Sequence, residues 1–464
     1  MINYFNFKRL DHDKYLLTND FGNYQIVDKS TLNFLLNDQI DKIEDKSNLI
    51  NDGFIVEKPY EKFIKMYSPL IKSMKGYCLN STALHIFAVT NACNFNCIYC
   101  QAHDDCSKQN GFMTNEIGEK VIDFALQSAS KNLTFEFQGG EPLLNFDVIK
   151  HMILYLESLD HDKNIELTIV TNFTLLDDEK LDFLCEHDVK LCTSLDGNEH
   201  IHNHNRPYKN KSGSYDDVVK RIKELKEKGL SFGAIQTTSN YSLKYPKEII
   251  DQYRELGFNT IFLRPLTPLG MADKFWNEVG YNPEKFIDFY NKAFDYIMKL
   301  NLNGEKFIEM HATYFLKKIL CNYADNYMEL RSPCGAGIGQ MSYYYDGNVY
   351  TCDEGRMLSE TGDNSFLVGN VLNDKHCNAV QSKICKATCQ SSIVECLPGC
   401  QDCAYHPYCG VCPVVNYANS KDLYGKNIKE FRCRVYKGIL DKIFAILSGE
   451  NEEKINVLYS WVDC

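Results

Sequence analysis

Three common features are missing from this sequence, and each absence excludes a class of protein. No run of eighteen apolar residues occurs in the 464 residues, so the sequence predicts no membrane-spanning helix. The start, Met1 to Arg9, lacks the basic beginning and long apolar run of a signal peptide, so we expect a cytoplasmic protein. Basic residues are also in deficit. The net charge of −12 argues against nucleic acid as a partner and favours a neutral or basic peptide.

Cysteine, in contrast, is abundant. The chain has 20 cysteines, and in the reducing cytoplasm their use as metal or cluster ligands explains them better than a disulfide framework does. The length is that of about two to four domains, and 44% hydrophobic residues are enough for a large core. We therefore expect a globular, enzyme-sized protein that binds metal through thiolates.

Three of the cysteines, Cys93, Cys97 and Cys100, follow closely on an apolar segment, 84–89, that is typical of a strand. Three thiolates at this spacing can hold three irons of a 4Fe-4S cluster and leave the fourth iron without a protein ligand. An iron left open in this way can bind a small chelating molecule. A zinc knuckle is the alternative for so short a cysteine run.

Between residue 80 and about residue 300, short apolar strands alternate six times with amphipathic helices. The predicted strands are 84–90, 132–138, 165–171, 189–195, 231–238 and 260–264. The predicted helices are 116–129, 146–158, 177–186, 215–228, 246–256 and 284–300. Repeated strand-helix units close into a parallel sheet or barrel, so we expect an α/β fold with a partial (β/α)6 barrel and its function at the carboxyl ends of the strands.

Each predicted strand ends in polar or glycine residues that suit one shared ligand. After the first strand come the cysteines, and after the others come Gln138 to Pro142, Thr171-Asn172, Ser194 to Gly197, Gln236 to Thr238 and Arg264-Pro265. Gly139 and Gly140 would let the backbone approach a ligand, and Glu141 can accept hydrogen bonds from an ammonium group. A simple Gly-Gly-Glu-Pro turn is the alternative.

The cysteine run, with Tyr99 just before its last cysteine and on the loop after a first strand, resembles the radical S-adenosylmethionine (SAM) superfamily. The resemblance implies that the open iron takes the amine and carboxylate of SAM. It also implies that one electron, from an external donor such as a ferredoxin or flavodoxin, splits SAM to a 5′-deoxyadenosyl radical. The implied SAM-binding residues are Tyr99 at the adenine, Gly139, Gly140 and Glu141 at the amine, Ser194 at the ribose, Arg206 at the carboxylate, and Asn172. Relatives usually have glycine after Thr-Asn, where this chain has Phe173.

A second group of cysteines, after residue 330, resembles the SPASM domain. Its seven members are Cys334, Cys352, Cys400, Cys403, Cys409, Cys412 and Cys433. The resemblance implies two auxiliary 4Fe-4S clusters, and zinc is the alternative for paired Cys-x-x-Cys units. The inner cluster would take Cys334, Cys352 and Cys412, and the outer one Cys400, Cys403, Cys409 and Cys433.

The SPASM resemblance has two irregularities. Cys409 and Cys412 are separated by two residues, where the family usually has three. The inner set has only three members, so either Cys321 is the fourth ligand or an iron is left open to bind a substrate thiol. The dense cysteines Cys377, Cys385, Cys389 and Cys396 are either one more metal site or spare thiols.

The first 75 residues look separate from the barrel. Segments 14–18 and 23–27 straddle a turn as a hairpin, a helix follows from about Ser30, and 53–56 is a further predicted strand. This outline resembles the PqqD-like peptide-recognition element, which captures the leader of a ribosomal peptide by strand addition. A plain stabilising extension and a DNA-binding winged helix are the alternatives, and the second is disfavoured because the segment is not notably basic.

The chain resembles a radical SAM/SPASM peptide maturase over almost its whole length. We expect the peptide-recognition element at 1–75, the barrel at 80–305, the SPASM domain at 310–445 and a tail at 446–464. The motifs at 16–22, 137–146 and 352–357 look most like the His-Xaa-Ser system maturases. The resemblance implies hydrogen abstraction from a ribosomally made precursor peptide and formation of a cross-link.

Asp353 matches the position of a proposed base in sulfatase-maturing relatives, so it is the candidate catalytic residue. A solvated loop aspartate is the alternative. A formylglycine-forming sulfatase maturase is the second functional hypothesis, and a non-catalytic electron-transfer protein is the third. The intact cysteine triad and Gly-Gly-Glu segment argue against the third.

Overall fold

The computed structural model describes residues 1–56, 59–102, 110–322, 328–425 and 430–462. Its strands are β1 (Asn6–Arg9), β2 (Lys14–Thr18), β3 (Tyr24–Asp28), β4 (Leu84–Ala88), β5 (Asn132–Gln138), β6 (Asn164–Val170), β7 (Lys190–Ser194), β8 (Phe232–Thr238), β9 (Thr260–Ile261), β10 (Leu263–Pro265), β11 (Ile308–Glu309), β12 (Gln340–Tyr344), β13 (Asn348–Tyr350) and β14 (Leu367–Asn370).

The α-helices are α1 (Lys29–Leu36), α2 (Ser47–Asn51), α3 (Tyr60–Met74), α4 (Asn115–Leu126), α5 (Phe146–Ser158), α6 (Asp178–Glu186), α7 (Glu199–Asn205), α8 (Tyr215–Glu227), α9 (Pro246–Glu255), α10 (Met271–Lys274), α11 (Trp276–Val279), α12 (Pro283–Leu302), α13 (Met310–Leu320), α14 (Asp353–Ser359), α15 (His376–Val380), α16 (Lys383–Gln390), α17 (Pro413–Ser420), α18 (Phe431–Leu447) and α19 (Glu452–Tyr459). None of the described helices is both long enough and apolar enough to cross a membrane.

A nine-stranded sheet in the order β10-β8-β7-β6-β5-β4-β12-β13-β14 forms the centre of the molecule. The strands β4, β5, β6, β7, β8 and β10 pair in parallel, so their carboxyl ends lie along one edge. The predicted α/β class with a central parallel sheet is therefore confirmed. The first five predicted strands match the observed ones to within two residues at each end.

The sheet and its helices share one large core. In α5, Ile149, Met152, Ile153 and Leu156 recur at helical spacing and are buried in the same cluster as the strand residue Phe135. In β5 the apolar residues Leu133, Phe135 and Phe137 are buried and alternate with less buried polar residues, so one face of this strand packs into the core.

The sixth predicted strand, 260–264, is two strands in the structure. β9 leaves the central sheet and pairs with β11, whereas β10 pairs with β8. β10 is the edge strand of the central sheet, and its residues Arg264 and Pro265 line a cavity together with Cys409 and Cys412. Arg264 and Pro265 lie on this last strand.

The cysteine-rich region continues the central sheet instead of forming a detached unit. β12 pairs in parallel with β4 along five residues, and β13 and β14 add to it in antiparallel order. The segment after 446, expected as a tail, is a packed helix: α19 contacts α12, and Trp461 lies against Phe294 with 4% exposure. Its apolar residues Leu458, Trp461 and Val462 are all buried, which explains the packing.

The N-terminal segment contains the predicted hairpin, β2 and β3, with α1 after it and an additional strand, β1, at one side. The predicted strand at 53–56 is a single bridge, Ile2 to Ile55. The segment does not stand apart. Leu17 is buried in a small hydrophobic core that the N-terminal segment forms, whereas Leu16, on the opposite face of β2, belongs to the main core.

Candidate functional site

The three closely spaced cysteines lie on the loop after β4, at the carboxyl edge of the sheet. Residues 205–207 hold this loop in place. The amide of Asn96 donates to the carbonyl of Pro207 at 2.8 Å, and the amide of Ile98 donates to the carbonyl of Asn205 at 3.0 Å. Burial raises the pKa of all three thiols, that of Cys97 to about 12. Buried thiolates need a cation beside them, which fits the donor set of an iron-sulfur cluster.

The Gly-Gly segment after β5 runs directly against the cysteine loop. A Cβ on Gly139 would lie 2.2 Å from the carbonyl oxygen of Thr90, and one on Gly140 would lie 2.3 Å from that of Ala92. The amides of Gly140 and Glu141 donate to these same two carbonyls at 2.9 and 2.7 Å. Only glycine fits this approach, so the two loops form one cradle beside the thiols.

The side chain of Glu141 connects the end of β5 to the end of β6 through hydrogen bonds. Its carboxylate is buried and accepts hydrogen bonds from the amide of Leu143, the hydroxyl of Thr171 at 2.6 Å and the amide of Asn172 at 2.8 Å. Burial raises its pKa to about 7, and the three donors limit the rise. A carboxylate has about four lone-pair positions, so one acceptor position remains for the expected ammonium group.

Asn172 connects the end of β6 to the cysteine loop. Its side-chain amide donates to Oδ1 of Asn94 at 2.8 Å, while its own oxygen accepts from Thr174. The next residue, Phe173, has φ of 66°, the left-handed region in which glycine is favoured. Phe173 keeps the backbone conformation that glycine adopts readily, and its buried ring packs against Phe232.

Tyr99 and Arg206, expected at the adenine and the carboxylate of SAM, meet at a buried acid. The Tyr99 hydroxyl donates to Asp196, and Nε of Arg206 lies 3.0 Å from Oδ1 of Asp196. Asp196 also accepts from Asn205 at 3.0 Å and from the amide of Thr237 at 3.1 Å, and it is fully buried. Asp196 was visible in the sequence only as part of a strand end, because its partners come from distant loops.

Arg206 also lies beside the cysteine triad. Burial sets the high pKa of Cys97 and of Cys100, and the Arg206 guanidinium lowers both. Its planar group is 5.4 Å from the centre of the Tyr99 ring. Ser194, the expected ribose contact, is half-buried at the end of β7 on the same edge of the sheet. The structure therefore brings all seven expected SAM-site residues to one edge.

The cysteines expected for the inner cluster come together in a second core. Cys334, Cys352 and Cys412 are buried in one cluster with Leu269. Cys352 caps the start of α14, where its sulfur accepts from the amide of Gly355 at 3.4 Å. Cys321, the candidate fourth ligand, packs with the main core and is disulfide-bonded, so it offers no free thiol.

The cysteines expected for the outer cluster also converge. Burial raises the pKa of Cys400, Cys409 and Cys433, and the charge of Cys403 adds to each rise. The loop that carries Cys400, Cys403 and Cys409 is held by strands β1 and β2.

Strands β1 and β2 bind the outer cysteine loop through side chains. The amide of Asn6 donates to the carbonyl of Gln401 at 2.8 Å, and the hydroxyl of Thr18 donates to that of Ala404 at 2.7 Å. His406, between Cys403 and Cys409, contacts Asn6 at 3.0 Å and Asp20 at 3.1 Å. This explains why the N-terminal segment is not separate.

Helix α14 lies between the triad and the inner cysteines. Asp353, the candidate base, pairs with Arg356 at 2.8 Å, and its charge adds to the burial that raises the pKa of Glu136 on β5. Arg356 lowers the pKa of Cys100, whose rise is due to burial. Asp353 therefore faces the interior of the sheet edge with 14% of its side chain exposed.

The remaining dense cysteines do not form one group. Cys385 and Cys389 are neighbours on one face of α16, whereas Cys377 and Cys396 are exposed. Across residues 1–56, 59–102, 110–322, 328–425 and 430–462, no three His, Cys, Asp or Glu side chains are arranged to hold a single metal ion.

Comparison with known proteins identifies the family of the central region. A model of the radical SAM superfamily matches residues 87–243. An uncharacterised protein of Methanocaldococcus jannaschii is 35% identical over 39% of this chain, and the match spans 62% of that protein's length. A cysteine-type anaerobic sulfatase-maturating enzyme of Clostridium novyi is 26% identical over 71% of this chain and 87% of that enzyme.

Two solved structures share the fold. The structure of anSMEcpe with bound AdoMet has a TM-score of 0.69 at 21% identity and covers 82% of this chain and 99% of its own. The structure of Streptococcus suis SuiB bound to the precursor peptide SuiA has a TM-score of 0.55 at 15% identity. The match covers 93% of this chain and 98% of the SuiB chain.

Proposed function

This chain is a radical SAM superfamily enzyme, and we propose that it modifies a ribosomally made precursor peptide by forming a cross-link. The observation that carries the proposal is the cradle at the sheet edge. There the Gly139-Gly140 segment lies so close to the loop that holds Cys93, Cys97 and Cys100 that neither glycine has room for a Cβ atom. A site built so tightly around three half-buried cysteines suits a cluster-bound small molecule.

The residues that would hold the cofactors follow from this geometry. The triad would hold the 4Fe-4S cluster, and the expected SAM-binding residues would hold SAM beside it. Bound SAM supplies a 5′-deoxyadenosyl radical after reduction by a ferredoxin or flavodoxin. The protein would position one carbon of the peptide and exclude water.

Arg206 can bind the SAM carboxylate while Asp196 keeps its guanidinium in place. The ion pair uses Nε, so the terminal nitrogens are oriented by a fully buried carboxylate. A planar guanidinium held in this way is preorganised for a second carboxylate. Asp196 is thus a positioning residue for the expected SAM site.

A peptide substrate is supported by the N-terminal hairpin and by the SuiB likeness. The SuiB structure covers 93% of this chain, against 82% for anSMEcpe, and structures of both proteins are known with a bound peptide. Strands β1 and β3 are the two edges of the three-stranded N-terminal sheet, and an edge strand is where a leader peptide can add. We infer that residues 1–75 capture a leader, with a His-Xaa-Ser-rich peptide as the finer hypothesis.

Cross-link formation by hydrogen abstraction is a net oxidation that removes two hydrogens from the peptide. Asp353 is the candidate base for the proton, because it lies at the interior of the sheet edge between the two groups of cysteines. The inner and outer cysteine sets would hold two auxiliary clusters, which would take up the electron.

A sulfatase-maturase-like activity is the second candidate function. The Clostridium novyi relative, with 87% of its length covered, favours it. Formylglycine is an aldehyde, whereas a cross-link is not. Formylglycine made from serine loses two hydrogens, as a cross-link does, whereas formylglycine made from cysteine also exchanges sulfur for oxygen. Hydrazide trapping of the product therefore separates the two candidates, and an aldehyde-positive product would refute the cross-link.

The superfamily chemistry has its own test. Anaerobically reconstituted protein should carry about twelve irons, and replacing all three triad cysteines by alanine should leave about eight. With SAM and a strong reductant, the protein should release 5′-deoxyadenosine, and Glu141→Ala should weaken SAM binding. Zinc in place of iron in the C-terminal region would remove the two auxiliary clusters from the proposal.

A further inference from the structure

Residues 205–213 pack along the cysteine loop and end in an exposed stretch, 209–213. Residues 205–209 run antiparallel to residues 94–98 of the loop. Three backbone hydrogen bonds connect the two segments, in which the amides of Ile98, Asn96 and Lys209 donate to the carbonyls of Asn205, Pro207 and Asn94 at 3.0, 2.8 and 3.2 Å. Neighbouring strands lie about 5 Å apart, so Lys209 is about one strand spacing from the residue that follows Cys93.

This segment is basic although the protein is acidic. The whole chain has 62 acidic residues and a net charge of −12, yet residues 200–215 contain no Asp or Glu. Lys209 and Lys211 are exposed there. Acidic residues resume at Asp216 and Asp217, in the first turn of α8. Positive charge is therefore concentrated on the part of the segment that lies beside the cysteine loop.

A second segment without acidic residues, 228–247, meets the first one at the end of α7. The ring of Tyr241 stacks on the exposed ring of His204 at 3.9 Å. The amine of Lys244, which is also exposed, lies 5.8 Å from the centre of the Tyr241 ring. Lys244 therefore adds positive charge next to the first segment. We call Lys209, Lys211 and Lys244 the basic surface.

The backbone connects the basic surface to the triad. The carbonyl of Asn205 accepts from the amide of Ile98, which directly follows Cys97. The rings of Phe95 and Tyr208 pack edge to face with their centres 5.0 Å apart, so side chains hold the two segments together as well. Electron transfer between proteins slows steeply with distance. A carrier bound at the basic surface would therefore have a short route to a group that the triad holds.

We propose that the basic surface is the docking site of an acidic one-electron carrier protein. The proposal rests on the proposed function, which consumes one electron for each SAM that is cleaved. The carrier is oxidised by one electron and the cluster bound by the triad is reduced by one, so the transfer needs no other reactant. Complementary charge speeds such an encounter and sets its orientation, whereas the net negative charge of the chain disfavours docking elsewhere.

Binding tests the basic surface without catalysis. The probe is an acidic flavodoxin in its oxidised state, titrated calorimetrically into the reconstituted full chain at low and at high salt. We expect the affinity to fall steeply with salt, because salt screens exposed charges. The double variant Lys209→Glu with Lys211→Glu should weaken binding at low salt by at least about tenfold. Wild-type affinity in this variant would overturn the proposal.

The matched control is Lys131→Glu with Lys306→Glu, which changes the net charge by the same amount. Both lysines are exposed, and they lie just before the amino ends of β5 and β11. This control should weaken flavodoxin binding by less than about twofold, because its charges are remote from the basic surface. An equal loss in the two double variants would overturn the proposal, since net charge alone would then explain the effect.

The rate of SAM cleavage separates docking from chemistry. With flavodoxin hydroquinone as the reductant, Lys209→Glu with Lys211→Glu should raise the flavodoxin concentration for half-maximal 5′-deoxyadenosine release by about the same factor as the dissociation constant. With dithionite, a small reductant that needs no docking surface, release should equal that of the wild type. Equal loss with both reductants would overturn the proposal, because the site itself would then be damaged.

Carbodiimide cross-linking locates the contact without any variant. The reagent joins a lysine amine to a carboxylate in direct contact with it, and mass spectrometry should find Lys209, Lys211 or Lys244 joined to flavodoxin. Cross-links only to lysines of the N-terminal segment or of the cysteine-rich region would overturn the proposal and would indicate electron entry near the outer cysteines.

These outcomes are distinguishable from a failure of the proposed function. If neither reductant yields 5′-deoxyadenosine, SAM cleavage is wrong, and binding and cross-linking still test the basic surface. If dithionite supports release but the charge reversal changes neither flavodoxin binding nor flavodoxin-driven release, only the docking site is wrong.

Discussion

Gly140→Ala tests whether the cradle at the sheet edge is the catalytic site. A new Cβ at this position would lie 2.3 Å from the carbonyl oxygen of Ala92 and 2.7 Å from that of Asn91, and both are backbone atoms. An ordinary carbon-oxygen contact is about 3.3 Å, so the Gly-Gly loop and the cysteine loop would have to separate by about 1 Å. The hydrogen bond from the Glu141 amide to Ala92 would lengthen with them.

The expected effect is larger on activity than on stability. Overpacking of this size costs roughly 1–3 kcal/mol, and a protein of this size can still fold. A displacement of about 1 Å at a reacting centre costs on the order of a hundredfold in rate. We expect release of 5′-deoxyadenosine to fall by about that factor and SAM binding to weaken, with a modest fall in the unfolding midpoint.

The matched control is Gly76→Ala, because a Cβ there meets no atom within 4 Å. It should leave both the rate of 5′-deoxyadenosine release and SAM binding unchanged. Wild-type release by Gly140→Ala would refute the cradle as the SAM site, since that Cβ forces the two loops apart. Equal loss in both variants would point to a general effect on folding.

Three further predictions concern the elements around the cradle. Asp196→Asn leaves the Arg206 guanidinium without its buried partner and should lower the free energy of unfolding in urea by about 3–5 kcal/mol, whereas Asp178→Asn, at an exposed ion pair, should leave it unchanged. Deleting residues 1–75 should abolish modification of a leader-bearing peptide and leave 5′-deoxyadenosine release intact. It should also reduce the iron content from about twelve to about eight per chain, because β1 and β2 hold the outer cysteine loop. Equal processing of the peptide would contradict leader capture, and full iron content would contradict the role of β1 and β2. Asp353→Ala should keep SAM cleavage and lose the modified peptide by mass spectrometry, and full modification would exclude it as the base.

Local patterns in the sequence were sufficient for the barrel strands and the triad. Strand and helix periodicity depends on neighbouring residues, and the triad spacing is itself local. The break of the sixth strand at Phe262 could not be predicted, because it depends on β11, which lies more than forty residues further along. The pairing of β12 with β4 escaped prediction for the same reason: it joins segments more than 250 residues apart.

Prediction of the site residues is limited in the same way, because their contacts come from distant parts of the sequence. The glycines of the second strand end were predictable because close approach requires glycine, but the carbonyls they approach were not. Phe173 looked like a departure from the superfamily pattern, yet its φ of 66° keeps the backbone conformation that glycine would give. Such strain costs on the order of 1–2 kcal/mol, and the buried ring offsets it. Sequence identity at this position is therefore a poor guide to backbone shape.

The first turn of α14 links the two halves of the proposed chemistry. The sulfur of Cys352 caps this turn, and the charge of Arg356 lowers the pKa of Cys100, which burial raises. Asp353 lies between them and pairs with Arg356. The candidate base Asp353 and the contacts to both cysteine groups therefore lie on one helical turn. A peptide carbon placed beside Asp353 would then be close to both the site of hydrogen abstraction and the route by which the electron leaves.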